Sequence, residues 1–176
     1  MSDFRFEMNF CRRCGSRLHR KDDNRYVCER GHALFLNAAP AAGLLLLNDK
    51  SEVLMIVRAI EPGKGLLGLP GGFCDGEETL EAALAREVQE EVGLSPRDYS
   101  APEYLLSGAE PYNYRGEPLP VLIVLYMAKL LTTKQPTAGD DAAAIKWLAP
   151  ANVSRKQIYS PTIWAALQAV IHRQRA

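Results

Sequence analysis

Apolar runs broken by turn residues set the first expectations for this chain. Ala41–Leu47 and Glu52–Val57 are stretches of strand length that predict buried strands, with Asn48, Asp49, Lys50 and Ser51 turning between them. Residues 60–72, IEPGKGLLGLPGG, hold five glycines and two prolines and predict an irregular loop. Thr79–Val92 contains neither residue, is rich in Ala, Leu, Glu and Arg, and predicts a helix ended by Gly93. Asp75, Glu77 and Glu78 gather where the positive end of that helix dipole would lie. Glu103–Ser107, Val121–Leu130 and Ile145–Leu148 predict further strands. Ser160 and Pro161 open a closing helix as N-cap and first residue, and Ile163, Leu167, Val170 and Ile171 give it one apolar face. The alternation from Pro40 onward predicts a mixed α/β domain.

The first 36 residues differ: rich in Arg and Cys, with scattered aromatics and no sustained period. Over the whole chain Lys plus Arg and Asp plus Glu both total 21, which argues against a broad grip on nucleic acid or anionic lipid. Residues 1–36 are locally basic all the same, through Arg5, Arg12, Arg13, Arg17, Arg20, Lys21, Arg25 and Arg30. The opening MSDFRFEMNFCRRCG has no apolar core of signal-peptide length, and Gly43–Leu47 is too short to span a bilayer, so a cytoplasmic protein without membrane association is expected.

Chemistry enters with the predicted helix. Glu87, Glu90 and Glu91 are spaced i, i+3, i+4 and fall on one helical face. Such a face can be merely solvated. Here a Gly-rich loop leads into it, where backbone can approach a phosphate or metal closely. Hard cations such as Mg²⁺ take carboxylate oxygens and keep waters that can become nucleophiles. GKG at 63–65 lacks the leading Gly and the following Ser or Thr of a P-loop, so an NTPase is excluded.

The segment GFCDGEETLEAALAREVQEEVGL resembles the Nudix signature, with Gly72, Glu78, Arg86, Glu87, Val88, Glu90, Glu91, Gly93 and Leu94 filling its specified positions. The resemblance implies an α/β/α sandwich with a mixed sheet over residues 37–176, and hydrolysis of a diphosphate linkage in a nucleotide derivative. It implies Mg²⁺ or Mn²⁺ held by Glu87, Glu90, Glu91 and the carbonyl of Gly72. Arg86 would orient a helix carboxylate, and Glu78 would hold the loop or bind metal through water. For the general base, the resemblance allows a signature glutamate or an acid from a distant loop. Asp140 and Asp141 are the loop candidates, or else part of a solvated turn or cap. Arg58, ending the strand before the Gly-rich loop, could reach a substrate phosphate or pair with the acidic helix.

Cys11 and Cys14, then Cys28 and His32, have roughly the spacing of a Cys₃His zinc site. Residues 1–36 resemble the zinc ribbon preceding some Nudix domains, NADH pyrophosphatases among them. Gly31 stands where a fourth cysteine would be, so either His32 substitutes or the ribbon is empty. His19 is a weaker substitute, and Cys74 reads as a small buried filler.

Pro111, Tyr112 and Tyr114 are expected on a loop between strands, where they stack on a base or simply pack. ADP-ribose pyrophosphatases carry a proline about this far beyond the signature, and diadenosine polyphosphate hydrolases a tyrosine. ADP-ribose or NADH is the expected substrate, with AMP and a second monophosphate as products. The alternatives are a ligand sensor and a binder of capped RNA that uses the ribbon. The resemblance also allows a homodimer.

Overall fold

The computed structural model describes residues 8–139 and 141–175; Arg5 and Asp140 lie outside them. Two sheets follow one another along the chain. The first is an antiparallel meander of β1 (Leu18–Arg20), β2 (Arg25–Cys28) and β3 (Ala33–Phe35). Strands of three or four residues are too short to print a period on the sequence. Their small core is Cys11, Leu18, Tyr26 and Cys28.

The second sheet contains β4 (Ala39–Leu47), β5 (Val53–Arg58), β6 (Leu67–Gly68), β7 (Gly71–Phe73), β8 (Glu103–Tyr114), β9 (Glu117–Lys129) and β10 (Ala142–Leu148). Its order is β10-β5-β4-β9-β8, with β6 on β5 and β7 on β4. β4 and β9 run parallel while the other pairs are antiparallel, so the sheet is mixed. Helices α1 (Leu80–Val92) and α2 (Pro161–Arg175) cover opposite faces. Leu44, Leu46, Leu54 and Ile56 pack with Leu84, Val88 and Val92 of α1. The intervening Leu45, Val53 and Met55 pack with Leu167 and Val170 of α2. Strands buried on both faces read as unbroken apolar runs, which is why β4 and β5 were legible. The result is the expected α/β/α sandwich. No helix among the described residues is long and apolar enough to cross a membrane.

Two expectations are corrected. The Gly-rich segment is not wholly irregular: β6 pairs with β5 and β7 with β4, strands too short for their glycines to forbid. Pro111, Tyr112 and Tyr114 are not on a loop. They extend β8, which turns through Arg115 (φ 51°) and Gly116 (φ 95°) directly into β9. Positive φ at both residues is the tight-hairpin geometry usually signalled by Asn-Gly or Asp-Gly. Prolines hid these strands because they donate no ladder hydrogen bond. Pro111 lies on the edge strand, and Pro118 and Pro120 precede Val121, where pairing of β9 with β4 begins.

Candidate active site

Local chemistry fixes α1 at both ends. The Thr79 hydroxyl accepts from the Ala82 N–H at 3.2 Å, and Gly93 ends the helix in the left-handed conformation, donating to the Gln89 carbonyl. Ahead of the helix, Gly71 has φ 145° and packs so closely on β4 that a Cβ would collide with the Ala42 carbonyl. A Cβ on Gly72 would collide with the Glu87 carboxylate. Glycine at both positions lets the loop close over the helix carboxylates.

Arg86 organises those carboxylates. Its guanidinium grips Glu78 through two bonds of 2.9 Å, donates to Glu87 at 2.8 Å and Glu90 at 3.1 Å, and holds the Phe73 carbonyl at 3.0 Å. One planar fork thus ties the loop to the helix. Hydrogen bonding from Arg86 holds the Glu78 carboxyl down at about 2. Glu91 is 8% exposed and accepts from the Gly71 N–H at 2.8 Å. Burial pushes its carboxyl up to about 7, and the nearby charges of Glu87 and Asp141 add to the effect. Burial also raises Glu87. Glu87, Glu91 and Gly72 share one cavity wall, a donor set suited to a hard divalent cation. Glu90 stands outside that wall, with its side chain 58% exposed and tied to Arg86.

The cavity has a volume of about 330 Å³ and continues away from the carboxylates to an aromatic end. There Phe73 meets Tyr112 edge-on at 5.5 Å, and Tyr112 meets Tyr159 at 6.4 Å. The guanidinium carbon of Arg58 lies 5.4 Å from the centre of the Tyr159 ring. Arg58 also donates to the Pro62 carbonyl at 2.7 Å and to the Tyr112 hydroxyl at 3.3 Å, and among the described residues it forms no ion pair with α1. Asp141 lines the same space.

At the other sheet, the ligand atoms of Cys11, Cys14, Cys28 and His32 lie within 4.8 Å of one another. Cys14 and Cys28 sulfurs are 3.8 Å apart, and the Cys11 sulfur is 3.6 Å from His32 Nδ1. A tetrahedral ion with sulfur arms of about 2.3 Å and a nitrogen arm of about 2.0–2.1 Å sets its ligands at about 3.8 Å and 3.6 Å. Those two separations match zinc, and the Cys₃His donor set suits it. Hydrogen bonding with Ser16 draws the Cys14 thiol down to about 6, which favours a thiolate, while burial pushes Cys28 up.

A family model of the NUDIX domain matches residues 37–167. The chain belongs to the Nudix hydrolase family. An ADP-ribose pyrophosphatase of Methanocaldococcus jannaschii is 33% identical over 117 residues, covering 63% of this chain and 62% of that protein. An NAD-capped RNA hydrolase, NudC, of Stutzerimonas stutzeri is 29% identical over 107 residues, 60% of this chain and 37% of that protein. The chain thus matches less than two thirds of the length of these Nudix relatives. A Nudix hydrolase of Nitrosomonas europaea shares the fold, with TM-score 0.75 at 23% identity over 96% of this chain and 94% of that one.

The Nudix domain brings most of the sequence-derived positions together. Gly72, Glu87, Glu91, Arg58 and Tyr112 line one cavity, and Glu78, Arg86 and Glu90 buttress it. Pro111 and Tyr114 are outside the lining, Pro111 because neighbours on a strand face opposite ways. Tyr114 is 48% exposed, with the Arg115 guanidinium over its ring. Sequence reading missed Phe73, Glu110 and Tyr159. No periodicity marks them; Glu110 at least stands two residues before Tyr112 on one strand face.

Proposed function

We propose that this chain hydrolyses the diphosphate linkage of ADP-ribose or NADH, releasing AMP and a second monophosphate. The supporting observation is the single cavity that joins Glu87 and Glu91 to Arg58, Tyr112 and Tyr159. The relatives' names, an ADP-ribose pyrophosphatase and an NAD-capped RNA hydrolase, fit the same substrate class. Mg²⁺ or Mn²⁺, held by Glu87, Glu90, Glu91 and the Gly72 carbonyl, would activate water and neutralise charge developing at phosphorus. Arg86 keeps the glutamates in place, and the N–H groups of Arg58 left over from Pro62 and Tyr112 bind phosphate oxygens. Asp141, a cavity carboxylate from beyond the signature whose charge acts on Glu91, can accept the water's proton. Tyr112 and Tyr159 present flat faces to the ring of the substrate.

The test is a panel of ADP-ribose, NADH and dGTP with Mg²⁺, with products identified by chromatography. AMP from ADP-ribose or NADH, at higher kcat/KM than any product of dGTP, is expected. A triphosphate cleaved faster than every dinucleotide tested would overturn the assignment.

Residues 1–36 serve as a ribbon held by one structural Zn²⁺ on Cys11, Cys14, Cys28 and His32, appended to a catalytic unit of residues 37–176. A second reading extends the substrate to an RNA end carrying the dinucleotide. It is favoured by the exposed Arg12, Arg13, Arg17 and Arg30 of the ribbon. Cleavage of NAD-capped RNA should then fall steeply with salt while that of free NAD does not. Equal salt dependence would reject it.

A further inference from the structure

Glu110 sits in the cavity beside the aromatic end, on the strand face it shares with Tyr112. One of its carboxylate oxygens is fully committed. Oε2 accepts from the Thr162 N–H at 3.1 Å and from the Thr162 hydroxyl at 2.6 Å. Thr162 is buried, and it comes so close to β8 that any Cβ on Gly108 would strike its hydroxyl. The first turn of α2 therefore pins the carboxylate by one end. Oε1 is left without a protein hydrogen bond among the described residues, in a cavity that Val121, Ile123, Leu125 and Ile163 also line. Arg58, the cation nearest the rings, is already engaged with Pro62 and Tyr112.

We propose that Glu110 is the specificity-determining acceptor of the ring site, selecting a nucleotide ring that carries an exocyclic NH₂ group. A carboxylate can only accept hydrogen bonds. In an apolar pocket it rewards a ring that donates and penalises one presenting an oxygen at the same place, because two acceptors are then left facing each other. Adenine and nicotinamide both carry such a donor, as an amine and as a carboxamide. Their counterparts with oxygen there, hypoxanthine and nicotinic acid, do not. The inference rests on the nucleotide reading of the cavity and adds which chemical edge of the ring is read.

The pinning by Thr162 makes the idea sharply testable. In Glu110→Gln the amide oxygen must take over the bonds from Thr162, which turns the amide NH₂ toward the ring. The site then donates, and its preference should invert. Binding of AMP against IMP, and of nicotinamide mononucleotide against nicotinic acid mononucleotide, is measured by calorimetry. In wild type, one pair should favour the NH₂ member by about ten- to hundredfold, and that pair names the ring held at Glu110. In Glu110→Gln that ratio should drop to unity or reverse. Should this variant not fold, Glu110→Ala, which removes the acceptor altogether, should bring the ratio to unity instead.

Ratios near unity for both pairs in wild type would overturn the proposal, as would an unchanged ratio in the variants or no binding of any of the four. Hydrolysis is scored separately. A selective site without diphosphate cleavage would sink the pyrophosphatase reading alone, whereas cleavage with a flat ratio would sink only the role of Glu110.

Discussion

Glu91 is a buried carboxyl whose one backbone donor, Gly71, does not offset its loss of water. Its folded value of about 7 exceeds the ordinary 4.5, so the native protein keeps a proton that the unfolded chain has already released. The sign follows. In metal-free protein this group costs nothing below pH 4.5, destabilises increasingly as pH rises through that window, and reaches its full cost, ~3 kcal/mol, above pH 7. Glu91→Gln has no charge to bury. Urea unfolding in chelator should find it more stable than wild type at pH 8, with the gap closing toward pH 5. A gap independent of pH would contradict the burial argument. With Mg²⁺ present the same variant should lose several orders of magnitude in kcat with little change in KM, since a metal ligand acts mainly on the transition state. Activity within a few-fold of wild type would remove Glu91 from the mechanism. The shared face of Glu87, Glu90 and Glu91 was legible because helical spacing alone creates it. The partners of Arg86 and the approach of Glu110 to Thr162, 52 residues away, depend on tertiary closure, which no local pattern records.

Among elements, the helices were the easiest to read and the β8–β9 hairpin the hardest. Gly93 and Ser160 are caps whose chemistry is local, and each does in the structure what its residue type predicts, while Thr79, expected as the first helical residue, is the N-cap. The hairpin carries three prolines and a turn of Arg and Gly, so its strand character comes from pairing, not propensity. The three short strands of the N-terminal sheet have a small core, so the proposed Zn²⁺ would contribute much of their stability. One Zn²⁺ per chain is therefore expected by elemental analysis of protein prepared without added zinc. Cys28→Ala should lose the metal and melt at lower temperature. Metal-free protein together with an unchanged melting temperature in Cys28→Ala would mean that the ligand geometry is vestigial.

For the molecule as a whole, the sandwich sets two chemistries at the ends of one cavity. α1 and its Gly-rich loop bring the carboxylates, while β8 and the segment before α2 bring Tyr112 and Tyr159. The carboxylate end was legible from one contiguous motif. The ring end was only partly so, since Tyr112 and Tyr159 lie 47 positions apart and meet solely because α2 packs against β8. The joining of both ends in one substrate site is tested most directly by Tyr112→Ala, assayed on ADP-ribose or NADH and on dGTP. Ring contacts contribute about 0.5–1.5 kcal/mol beyond area burial, so KM for the dinucleotide should rise by up to roughly tenfold. kcat/KM for dGTP should stay near its wild-type value. Equal losses on both substrates would show that the aromatic end does not read the second moiety, and would contradict the proposed site.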